Sequence, residues 1–156
     1  MAENIFNVLK KDHDKVKGLF KQISRKKQAP DSVFPQIRQE LEMHFHGEES
    51  LFYPFLRDKA ETHDITMESM EEHSVTKKEL DEIVNLSTKD EWFAPKIKVL
   101  QELVNHHIEE EETQLFKKAK KVMKKQEAEE MARRFGEEKQ KMMAGGGSPA
   151  SQSRKK

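Results

Sequence analysis

The chain has 156 residues, one domain's worth, with 34% hydrophobic and 37% charged side chains. It has no cysteine, which excludes disulfides, thiolate metal sites and a cysteine nucleophile. The 29 Lys and Arg balance the 29 Asp and Glu, and with the three bases of residues 154–156 set aside the body is slightly acidic, a poor binder of nucleic acid.

No run approaches the ~20 apolar residues of a membrane span. The N-terminus (MAENIFNVLKKDHDK) lacks the apolar centre of a signal peptide, so the expectation is a cytoplasmic protein without a membrane partner, monomeric or weakly oligomeric. Scarce Gly and Pro and plentiful Glu, Lys, Leu and Met favour helix.

Helix one is predicted over about 4–27, with Ile5, Leu9, His13, Val16, Phe20 and Ile23 on one face, Asn4 as N-cap and Ala29-Pro30 as the stop. Helix two starts at Asp31 or Ser32 and runs to about Asp58. Its stripe is Phe34, Ile37, Leu41, His44, Glu48, Phe52 and Phe55, and Pro54 should kink its last turn. Helix three spans about 64–86, aligning Thr66, Met70, His73, Lys77, Leu80 and Val84. Helix four runs from near Trp92 to Lys118, aligning Phe93, Ile97, Leu100, Val104, His107, Glu111 and Leu115. Short connections make this an all-α, up-down-up-down four-helix bundle over residues 1–120. Residues 121–143 read as a C-terminal helical extension and 144–156 as a flexible tail.

Histidine interrupts each stripe at a position that periodicity assigns to the core. Two of the interruptions are His-x-x-x-Glu, His44/Glu48 and His107/Glu111, and a four-residue step returns to the same helix face. Counted along antiparallel rods, His13, His44, Glu48, His73, His107 and Glu111 fall in one slab ~10 Å thick. Any one histidine alone reads as a hydrogen-bonded core residue. Two buried carboxylates without partners, however, would cost several kcal/mol each. A metal site resolves the cost, and the donors suffice for two cations bridged by the glutamates. Imidazole with carboxylate suits iron, with manganese or zinc as substitutes. The order and spacing differ from the Glu-x-x-His pattern of ferritin-like bundles.

These segments, LKKDHDKVKGLF, HFHGEESLFYPFL, EEH ending at His73 and HIEEEETQLF, resemble the hemerythrin family, specifically the HHE cation-binding domain proteins, over residues 4 to about 120. The resemblance implies a non-haem di-iron centre, oxo- or hydroxo-bridged, reacting with dioxygen, hydrogen peroxide or nitric oxide. It makes His13, His44, His73 and His107 terminal ligands and Glu48 and Glu111 bridges. Two departures stand out. Oxygen-carrying hemerythrins have a second histidine where this chain has Lys77, and their helix-four carboxylate is an Asp five residues after the histidine, not a Glu at four. A protonated lysine is a poor ligand, so the centre is less saturated than a reversible carrier's. That favours peroxide or nitric oxide chemistry, or redox sensing, over oxygen transport. Lys77 then becomes a candidate proton donor or a partner for a carboxylate.

Other residues read more plainly. Glu49, Glu72 and Glu112 are solvated or hydrogen-bond to ligands from outside, with replacement of a ligand as the alternative. Tyr53 lies off the seam and packs, with a phenolate ligand as the alternative. His46 faces solvent, His106 a helix boundary, and His63 the connection between helices two and three. Beside the di-iron reading stand two others: a sensor or store without turnover, and a metal-free interaction module whose polar layer sets bundle register.

Overall fold

The computed structural model describes residues 2–24 and 30–145, and these form helices without strands. Helix α1 spans Ile5–Ser24. The second rod is α2 (Pro30–Gly47), a π-helical turn π1 (Glu48–Phe52) and α3 (Tyr53–Arg57). The third rod is α4 (His63–Val84). The fourth is α5 (Phe93–Glu110), a second π turn π2 (Glu111–Leu115) and α6 (Phe116–Val122). A fifth rod, α7 (Lys125–Ala144), follows. The four predicted helices are therefore present. The two that carry His-x-x-x-Glu each contain a π turn that periodicity did not foresee.

Local sequence sets the ends. Asn4 and Asn7 cap α1 reciprocally, each backbone N–H donating to the other's side-chain oxygen at 3.3 and 3.0 Å. Pro54 falls at the start of α3, where its missing N–H costs little, so the expected kink becomes a change of helix type. The His63 ring bonds the Arg57 carbonyl at 2.9 Å and ties the connection into α4. The stop proposed at Ala29-Pro30 falls partly, and the tail from residue 146 on wholly, outside the described residues.

The rods pack in a ring, α1 against α2, α3 against α4, α4 against α5 and α5 against α1, while α7 lies over α1, α2 and π1. The apolar interior is in two parts. One cluster is built on Phe20, Phe34, Ile37, Leu41, Leu80, Leu100 and Val104, the other on Ile5, Leu9, Phe52, Leu56, Leu115 and Phe135. His13 sits between Leu9 and Val16, His44 between Leu41 and Leu51, and His107 between Val104 and Leu115. The histidines thus lie in a polar layer between the two clusters. Ala128, Met131 and Phe135 of α7 complete the second cluster, so the extension is part of the folded body. Among the described residues, no helix is long and apolar enough to cross a membrane.

Candidate metal centre

All six predicted ligands lie in that layer, and none is more than 3% exposed. Two groups of donors converge: His13, His44, Glu48 and Glu111 form one, and Glu48, His73 and His107 the other. Glu48 belongs to both.

Each imidazole is held from outside by a carboxylate of another rod. His44 Nδ1 bonds Asp12 (2.9 Å), His73 Nδ1 bonds Glu49 (2.8 Å), His107 Nδ1 bonds Glu72 (2.7 Å) and His13 Nδ1 bonds Glu112 (2.6 Å). The links run one way round the bundle, the first rod holding the second, the second the third, the third the fourth, and the fourth the first. A carboxylate only accepts, so each Nδ1 donates and each Nε2 is turned inward. Glu49, Glu72 and Glu112 therefore hydrogen-bond to the histidines. Asp12 does the same and was missed. Its signal was present: each of these four acids adjoins a predicted ligand in sequence, about 100° round the helix, where it faces the neighbouring rod.

On the inner side four of the polar atoms are left without a hydrogen bond. His13 Nε2 lies 3.1 Å from Glu111 Oε1, and His44 Nε2 lies 3.3 Å from Glu48 Oε1. Even so, His13 Nε2, His44 Nε2, Glu48 Oε2 and Glu111 Oε1 are buried without a hydrogen bond. These donors point past one another toward shared space, the arrangement a cation would satisfy. The His73 and His107 Nε2 atoms stand 3.1 Å apart, too close for two bare lone pairs.

Tyr53 corrects the reading of a packing residue. It is 1% exposed, and its Oη donates to Glu111 Oε2 at 2.6 Å while standing 3.1 Å from His73 Nε2 and 3.4 Å from His107 Nε2. The π turn explains the error. The Tyr53 backbone N–H donates to the carbonyl of Glu48, five residues back, so the wider turn brings Tyr53 under Glu48 on the inner face. In the fourth rod Phe116 donates to Glu111 in the same way, and its ring stacks on His13. The two halves of the centre thus differ by a phenol on one side and a phenyl on the other.

The electrostatics follow. Burial pushes the Glu48 carboxyl up, but the charge of His44 and contacts with Glu111, His44 and His73 hold it well below its ordinary value. Burial lowers His13 and His107, and their carboxylate neighbours outweigh it and raise both. Burial and the charges of Glu111 and Glu48 push the Tyr53 phenol well above its usual pKa. A cation between these groups would reverse that last effect, because coordination draws the proton off a ligand.

Residues 4–119 match the hemerythrin HHE cation binding domain family. The chain belongs to that family. A crystal structure of a hemerythrin HHE cation binding domain-containing protein from Mycobacterium kansasii shares the fold, with a TM-score of 0.75, 23% identity and 91% of each chain covered. A DNA nickase of Nostoc sp. is 32% identical over 107 residues, which is 67% of this chain and 30% of that protein. The chain therefore spans less than a third of that relative's length. In this HHE domain the buried His/Glu cluster is able to hold metal ions.

The remaining predicted positions lie outside the inner layer. Lys77 is half exposed, and its Nζ donates to Glu49 Oε1 at 2.7 Å, behind His73. His46 is not free in solvent, since its Nε2 bonds Glu138 of α7 at 3.0 Å. His106 is exposed and lies 3.7 Å from Glu72.

Proposed function

We propose that this HHE domain is a non-haem di-iron protein that disproportionates hydrogen peroxide. The observation behind it is the pair of donor groups sharing Glu48, with the Tyr53 phenol between them, bonded to Glu111 of the first and beside His73 and His107 of the second. Imidazole, carboxylate and phenolate suit iron, and the same donors accept manganese or zinc. Zinc lacks redox chemistry and would give an inert centre. When bound, a pair of iron ions supplies the two-electron capacity the reaction needs. One peroxide gives up two electrons and two protons to become dioxygen, and a second takes them up to become two waters.

The chain's own residues hold and orient this centre. His13, His44 and Glu111 with Glu48 form one ligand group, and His73, His107 and Tyr53 with Glu48 the other. Lys77 donates from Nζ to Glu49 Oε1, and the other Glu49 oxygen holds His73 Nδ1, so Lys77 bears on that ligand through Glu49. A surface groove of about 320 Å³ between α1 and α5, lined by Lys17, Asn105 and Glu112, adjoins the carboxylate that holds His13. The orphaned inner atoms count against a metal-free interaction module, whose polar layer would satisfy itself.

Protein loaded anaerobically with iron should contain about two irons per chain and evolve oxygen from hydrogen peroxide faster than free iron or a Glu48→Ala variant. No excess oxygen would defeat turnover and leave binding or sensing of dioxygen or nitric oxide. A stoichiometry of one would defeat the paired centre.

A further inference from the structure

Helix α7 lies outside residues 4–119 of the family match, yet it reaches the centre. Lys139 Nζ donates to Asp12 Oδ1, and the other Asp12 oxygen accepts from His44 Nδ1 at 2.9 Å. The other three outer carboxylates are backed from within the bundle by exposed or half-exposed groups. Lys77 backs Glu49 at 2.7 Å, Lys10 lies 3.9 Å from Glu112 and His106 lies 3.7 Å from Glu72. Lys139 is only 22% exposed and its carboxylate is buried, so water screens this pair least.

The placement of Lys139 is itself fixed. Phe135, one turn earlier, is fully buried against Gly47, where a Cβ would overlap its ring. The Lys139 ammonium lies 5.3 Å from the centre of that ring, and Glu138 bonds His46. Gly47 is the last residue before π1, so α7 docks at the point where the second rod begins to present Glu48.

We propose that Lys139 is a positioning residue for the metal ligand His44: it fixes the Asp12 carboxylate, which fixes the imidazole with Nε2 turned inward. The inference rests on the metal-binding reading above. Residues outside the bundle therefore set the stability of one ligand group and leave His73 and His107 to their own carboxylates.

The test uses the full chain loaded with zinc, which is diamagnetic and redox-silent. Histidine side-chain NMR reads the His44 Nδ1–H, and a chelator chase reads zinc release. Lys139→Met should shift or lose the His44 Nδ1–H signal alone among the four ligands and release zinc about 10-fold faster, the low end for loss of a residue that orients a ligand. Lys139→Arg should restore both readings. Lys141→Met, on the same helix and paired with Glu138, should change neither. If Lys139→Met matches wild type, or disturbs all four histidines alike, the positioning role is overturned. Wild-type protein that takes up no metal overturns the metal reading itself, so the two failures are distinguishable.

Discussion

Burial alone would strip the proton from His44, yet the charge of Glu48 and the bond to Asp12 lift its pKa to about 10. In protein without a cation, the protonated ring stabilises the fold fully below its unfolded pKa of ~6.5. That contribution is lost as pH rises through about 10. Glu48, depressed, contributes above the ordinary carboxylate range and loses its effect in acid. The unloaded protein should therefore melt highest at about pH 5–6. Cation binding must displace these protons and strengthens as pH rises. The gap between loaded and unloaded melting temperatures, followed by calorimetry, should widen from pH 6 to pH 9. A constant or narrowing gap would show that these groups do not hold the cation. Tyr53 offers an optical check: the iron-loaded protein should show a visible phenolate charge-transfer band that Tyr53→Phe abolishes with iron content retained.

At the scale of elements, the π turns decide which residues meet. The inward placement of His44, Glu48, His107 and Glu111 was legible because each precedes or begins its π turn, where the 3.6-residue period still holds, and that of His13 and His73 because α1 and α4 are unbroken α-helix. Tyr53 was not, because π1 inserts a residue between it and Glu48, and nothing in EESLF announces that insertion. Asp12 was overlooked for another reason: it lies beside the apolar stripe, and only the neighbouring rod gives it a partner. Deleting the exposed Ser50 should convert π1 to ordinary helix and leave Tyr53 four residues after Glu48, on the same inner face. The variant should stay helical by circular dichroism and keep the phenolate band that Tyr53→Phe abolishes. Loss of the band would mean that the extra residue of the π turn is needed to place Tyr53. Gly47→Ala pushes a methyl group into Phe135 and should destabilise the protein by about 1–3 kcal/mol. Chemical denaturation measures it, and Gly136→Ala, where a Cβ meets open space, is the control.

For the whole molecule, the four-rod ring was readable from stripes and short connections. The way α7 joins it was not. Periodicity gave α7 an apolar face, but only the packed structure shows that face closing the second cluster over Gly47. The separation of the interior by buried charge also belongs to this scale. Stripping the cation should lower the melting temperature, because buried carboxylates and imidazoles are left to one another. Protein verified as metal-free that melts unchanged would favour an interaction module.

The polar layer also bears on cooperativity. Each apolar cluster holds together by side-chain contact, but across the layer the two are joined by helix backbone and by the His/Glu groups. A bound cation fastens several rods at once and should make the halves open as one unit. Without it, they become separate cooperative units that exchange their amide hydrogens at different free energies. Native-state hydrogen exchange should therefore give two protection levels in the stripped protein, one for amides around Phe34 and Leu100 and another around Leu9 and Leu115. These should merge into a single global value on loading. The metal would then act on the protein as a fold-wide latch as well as a reactive centre, and losing it would expose one end of the bundle before the other.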